Sequence, residues 1–92
     1  MADWRLEQLE LQPHLRDLSF RKKPYREYRP GWDHDHCVAC GAKLAEFESP
    51  TEVILHEGFA TTEDMPRGAD YYWACSECFQ LFKAEMNWSE IS

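Results

Sequence analysis

The residues best suited to chemistry in this chain are its four cysteines, Cys37, Cys40, Cys75 and Cys78, set as C-x2-C, 34 residues, then C-x2-C. A C-x2-C turn is short enough to place two sulfurs on one ion, and tetrahedral zinc takes four such ligands at roughly 2.3 Å. One pair alone is compatible with a redox disulfide. Two pairs with no cysteine left over point to a single metal. Disulfides and an iron–sulfur cluster are the competing uses of the same thiols. The expected cofactor is one structural Zn2+. Four thiolates fill every position of a tetrahedron, so such a site is architectural and not catalytic.

Asp33, His34, Asp35 and His36 run directly into Cys37. In an extended segment the two histidines share one face and the two aspartates the other. One reading is a second metal site, or a histidine activated by a carboxylate. The plainer reading is support for the zinc site, with His or Asp hydrogen-bonding close to the ligands and orienting the turn. The run also resembles the metal-binding DHDH of the HNH-type recombination endonucleases, which are built on a treble clef with CxxC pairs. There the run lies between the two pairs, whereas here it precedes both. Phe79 stands where that family has Asn, and no Gly-Leu-Leu run precedes Cys75. The resemblance implies a metal-dependent nuclease using His34 and His36, and these departures count against it.

A third candidate is the segment 16–29, RDLSFRKKPYREYR, in which six basic residues are interleaved with Phe20, Tyr25 and Tyr28. Basic side chains alternating with aromatics can grip single-stranded nucleic acid by charge and stacking. The alternative is that the aromatics pack in the core while Arg and Lys are solvated or pair with acids elsewhere. His56 beside a probable strand reads as a hydrogen-bonded structural residue, and His14 carries no signal. Trp32, Trp73 and Trp88 flank the metal region and serve its packing, with Trp88 open to exposure near the terminus. No Gly-rich phosphate loop, nucleophile elbow or Ser/His/Asp arrangement appears, so the protein is not expected to be an enzyme.

These groups must be positioned by a chain of 92 residues, one domain's worth. A domain this small buries only roughly 60–65% of the surface its unfolded chain exposes. A metal staple is a common remedy, and four Trp, four Tyr and five Phe supply large core side chains. Residues 3–10 can start a helix with Asp3 as N-cap, ended by Pro13. Leu18 and Phe20 alternate with polar neighbours as in a strand, and PYREYRPGW is extended. GAKLAEFE is ambiguous between a helical turn and a strand. TEVILHEGFATT reads as a strand with a bulge or turn at Gly58. YYWAC reads as a strand. SECFQLFKAEMNW has helical spacing, with Phe79, Phe82 and Met86 on one stripe.

Cys40-Gly41 has the look of a zinc knuckle, and Cys78 belongs in the first turn of a helix, where the dipole favours a thiolate. The predicted fold is therefore α+β, a small zinc-stabilised treble-clef-like domain of knuckle, β-hairpin and C-terminal helix. It spans 1–92 as a single zinc-binding domain, with residues 1–32 an N-terminal helix and strand extension packed on the 33–92 zinc module. The first residues lack the apolar run of a signal peptide, and nothing later is long enough to cross a membrane. A cytoplasmic location is expected, where thiols stay reduced.

The formal net charge is -7. Residues 1–29 carry seven basic and five acidic side chains, whereas residues 30–92 carry three basic and twelve acidic ones. Such acidity disfavours attachment to phosphates and favours a basic protein partner. Glu46, Glu48, Glu52, Glu57, Glu63, Asp64 and Asp70 are the expected partner-binding residues.

A broader resemblance rests on GWDHDHCVACGAKLAEF, LHEGFATTED and YYWACSECFQLFKAEMNW, about two thirds of the chain. Together they look like a family of small bacterial proteins with a CxxC…CxxC zinc site, a family defined by its pattern and not by an activity. The resemblance implies zinc and a bacterial cytoplasm. Some small acidic proteins of this kind are immunity proteins beside secreted toxins. The expected function is an inhibitor or immunity-type binding module. A nucleic-acid-binding zinc module using 16–29 is the alternative.

Overall fold

The computed structural model describes residues 3–27, 30–63, 65 and 68–91. Asp3 accepts a hydrogen bond from the Arg5 amide at 2.9 Å and so caps the first helix, α1, Trp4–Glu10. The helix stops at the Leu11 cap, before Pro13, whose ring opens a short 3-10 turn, Pro13–Leu15. Leu9 and Leu15 face inward and are fully buried.

Strand β1, Ser19–Pro24, buries Phe20, but Lys22 and Pro24 on the same face are exposed, so the buried face expected from the sequence is confined to the start of the strand. It is an interior strand. It pairs antiparallel with β5, Glu57–Thr61, and parallel with β7, Ser89–Glu90. With β6, Trp73–Ala74, these form a four-stranded sheet in the order β6-β5-β1-β7. A second sheet joins β2, His34–His36, β3, Lys43–Ala45, and β4, Ile54–Leu55, in sequence order. The ambiguous GAKLAEFE segment is thus a strand over Lys43–Ala45, because its partners on both sides supply the hydrogen bonds that a lone turn lacks.

Helix α2, Ser76–Met86, follows β6 directly. Its predicted stripe, Phe79, Phe82 and Met86, is buried. Phe79 stacks on Phe59 of β5 with ring centroids 3.9 Å apart and planes at 2°. Phe20 meets the edge of Phe79 at 5.5 Å and packs on Trp88 at 4.9 Å. This aromatic block joins helix to sheet and dominates the burial, since each such ring hides some 150–250 Å2. Trp88 is buried, contrary to the expectation of exposure, because its indole N–H donates to the Leu15 carbonyl at 2.6 Å. Asn87 ends α2 in the left-handed conformation at φ 55°, which Asn tolerates better than most residues.

Gly58 is neither a bulge nor a turn. It lies in register within β5, opposite Lys23. A Cβ there would stand 2.9 Å from the Ala74 carbonyl oxygen and 3.0 Å from Leu44 Cδ2. Crowding by the neighbouring strand β6 of the same sheet and by the Leu44 side chain of the second sheet is what requires glycine.

Candidate metal centre

The two sheets meet where β2 runs out into Cys37, whose backbone bridges Trp73 of β6. The Val38 amide donates to the Trp73 carbonyl at 2.9 Å, fixing the two cysteine pairs against each other. In the first pair the chain reverses over residues 37–42. The Gly41 amide donates to the Cys37 carbonyl at 3.0 Å, and the Cys37 amide to the Ala42 carbonyl at 2.8 Å. Gly41 sits at φ +80°, a conformation in which other residues are strained. Its own amide is spent on a carbonyl, and it is the Ala39 amide that reaches a sulfur, Cys37 Sγ, at 3.4 Å.

The second pair is built on the start of α2. Cys75 is the N-cap, and its sulfur accepts from the Cys78 amide at 3.4 Å. Cys78 lies in the first turn, as expected. All four side chains are free thiols, and one ligand atom from each lies within 4.8 Å of all the others. Cys40 Sγ and Cys75 Sγ are 3.8 Å apart. A tetrahedron of sulfurs around one ion at roughly 2.3 Å has edges of about 3.8 Å. The cluster therefore fits a single metal ion.

Without a cation, the thiols oppose one another's ionisation. Cys37 is brought down to about 5, first by the hydrogen bond from Cys75 and then by backbone amides. That thiolate in turn holds Cys75 far above the usual thiol range. Burial, then the charge at Cys37, pushes Cys78 up to about 12. A dication replaces the protons on these thiols, so binding releases protons.

Arg5, which no local pattern singles out, reaches across from α1. Its guanidinium bonds Glu77 Oε2 at 2.8 Å and stands 3.9 Å from Cys78 Sγ. It lies over the Phe82 ring as well, 5.3 Å from the centroid. A sequence separation of more than seventy residues hides this contact from any local pattern.

The DHDH run alternates over residues 34–36 only, and Asp33 does not share the face of Asp35. His34 and His36 are exposed, and Asp35 is half-buried. Asp35 Oδ2 accepts from both the Tyr25 hydroxyl and the Trp32 indole N–H, each at 2.9 Å. Burial raises the Asp35 carboxyl above its ordinary range against the pull of these two donors. Asp33 instead turns outward and pairs with His34 Nδ1 at 3.0 Å, which lowers its own carboxyl.

Most of the expected partner-binding acids lie beside basic groups of the same chain. Glu52 pairs with Lys43 at 3.0 Å, Asp70 with Lys23 at 2.8 Å, Glu63 with Arg21 at 3.7 Å and Glu46 with Arg26 at 3.9 Å. Glu48 bonds His56, whose other ring nitrogen meets the Ala45 carbonyl at 2.9 Å. Among the described residues Glu57 is the one member of the set with no ion pair. Asp64 lies outside the described residues, as do Tyr28 and Arg29 of the basic segment. Within that segment Phe20 and Tyr25 are buried, and Arg16 donates to the Glu85 carbonyl at 2.8 Å.

No helix among the described residues is long and apolar enough to cross a membrane. Comparison of the chain with protein families, curated proteins and solved structures finds no match.

Proposed function

We propose that the four cysteines hold one zinc ion as a structural staple in a treble-clef-like arrangement, and that the protein acts by binding a basic protein partner, as inhibitors and immunity-type proteins do. The observation that carries this reading is the closure of the cluster. Four sulfurs, three of them on buried residues, already supply the four ligands that zinc takes in structural sites. Chemistry at such an ion has no position for substrate, so the work falls to the surface.

Two features support an acidic binding surface. With zinc on four thiolates the formal charge moves from -7 to two units lower, since cysteines are counted neutral. The internal ion pairs of Glu46, Glu52 and Glu63 are exposed on at least one side, where such pairs contribute about 0–1 kcal/mol. A basic partner exchanges for them at little cost. Beside the cluster an open groove of about 430 Å3 is lined by Ala42, Leu55, His56, Glu57 and Glu77, and its two carboxylates suit a long basic side chain. The reading places the protein in a reducing compartment such as the cytoplasm.

The first test is metal content on protein purified under reducing conditions. One zinc per chain is expected, and Cys75→Ser or strong chelation should unfold the protein, because structural zinc contributes roughly 10–16 kcal/mol of apparent binding free energy. An unchanged melting curve after zinc removal would sink the staple. For the binding reading, partner affinity should fall with salt and with Glu46→Lys, Glu52→Lys and Glu57→Lys. A complex indifferent to both would refute it.

A further inference from the structure

His34 and His36 are left unused by the four-cysteine centre. They project from the outer face of β2 with ring centroids 5.2 Å apart. Their direction is not left to chance. Asp35 between them is anchored inward by Tyr25 and Trp32, and alternation along a strand then sends both neighbours outward. The Asp33 carboxylate holds Nδ1 of His34 at 3.0 Å. That contact selects the tautomer protonated at Nδ1 and leaves Nε2 with a free lone pair, the carboxylate–histidine pairing seen behind metal-bound imidazoles. The His36 ring has no hydrogen-bond partner among the described residues and meets the His34 ring alone. The rings meet edge to face at 89°, and the His36 ring is the one left to turn toward a shared ion, χ2 being a soft torsion for histidine.

The cross-strand neighbour of His36 is Lys43, a cation that would oppose a metal. Its ammonium is drawn off to Glu52 at 3.0 Å and over the Phe47 ring at 5.2 Å. The chain's overall negative charge favours cation approach.

We propose that His34 and His36 form a second metal site, distinct from the cysteine cluster, that takes a borderline divalent transition cation. Two imidazole nitrogens suit Ni2+, Cu2+ or Zn2+, whereas Mg2+ and Ca2+ require oxygen ligands. Water completes the coordination, so this site is weaker and more labile than the closed thiolate centre.

The test is calorimetric titration of Ni2+ into tag-free, zinc-loaded protein, with zinc content measured before and after. One Ni2+ per chain beyond the retained zinc is expected. His34→Ala and His36→Ala should each weaken it at least about tenfold, Asp33→Asn about tenfold, and the double histidine variant should abolish it while keeping one zinc. Absence of saturable Ni2+ binding, or binding unchanged in the double variant, overturns the proposal. Loss of zinc from the double variant also overturns it, since the histidines would then belong to the support of the cysteine centre.

Discussion

Arg5 Nη1 lies 3.9 Å from Cys78 Sγ and 2.8 Å from Glu77 Oε2, so the first helix delivers a guanidinium to the side of the cysteine cluster. The Asp3 carboxylate grips the same guanidinium at 2.8 Å and holds its charge in place. Four thiolates around a dication retain two negative charges, and a fixed cation beside them lowers the cost of that excess. Arg5→Ala should therefore speed zinc extraction by a chelator by about tenfold, the scale of groups that support a metal ligand without touching the ion. Arg5→Lys should fall between, since it keeps the charge and loses the fork. Equal extraction rates for all three proteins would show that Arg5 serves α1 alone.

His56 ties the connection between β3 and β4 by donating to the Ala45 carbonyl while meeting Glu48 on its other nitrogen. Both contacts are satisfied at once only by the imidazolium, and the backbone contact, then Glu48, raises its pKa above the ordinary 6.5. A raised folded value means that the contribution is fully present below the unfolded pKa. It is lost as pH rises through the folded one, above 6.5. An NMR titration of the ring should give a midpoint above that of an exposed histidine, lowered again in Glu48→Gln. A midpoint at the ordinary value in the parent protein would discard the clamp.

Elements with their own sequence signals were legible and the joints between them were not. Asp3 before an amphipathic run, and the stripe of Phe79, Phe82 and Met86, are local patterns. The structure carries both as α1 and α2. Two C-x2-C pairs marked the ligands because sulfur spacing is itself chemistry. What stayed hidden is long-range. Arg5 at Cys78, Lys23 at Asp70 and Trp88 at Leu15 join residues 47 to 73 positions apart. Gly58 looked like punctuation, since nothing nearby in sequence reveals the Ala74 carbonyl that passes over it.

That close approach makes Gly58 a sensitive position. In Gly58→Ala the new Cβ must push away the Ala74 carbonyl, 2.9 Å off, or the Leu44 methyl at 3.0 Å. The first is backbone paired within the sheet, since Phe59 opposes Ala74, and the second belongs to a fully buried side chain. Neither yields freely. Overpacking of this kind costs about 1–3 kcal/mol, which urea denaturation of zinc-loaded protein should show as a lower midpoint at unchanged slope. A midpoint equal to the parent's would mean that strand β6 and the Leu44 side chain make room at no cost.

Asp35 offers the sharpest separation of charge from hydrogen bonding. A single oxygen, Oδ2, accepts from both Tyr25 and Trp32, and an asparagine carbonyl can do the same without burying a charge. Asp35→Asn should leave stability unchanged or slightly higher near neutral pH. Asp35→Leu removes the acceptor and strands the hydroxyl of Tyr25, a residue only 1% exposed. An unsatisfied buried donor costs about 1–3 kcal/mol, so this variant should unfold at distinctly lower denaturant concentration. Because Asp35 also sets the outward direction of His34 and His36, the two variants should part in Ni2+ titration too, with Asp35→Asn retaining the parent affinity. Matching denaturation curves for Asn and Leu would show that water already satisfies Tyr25, and that strand β2 is held by its pairing with β3 alone.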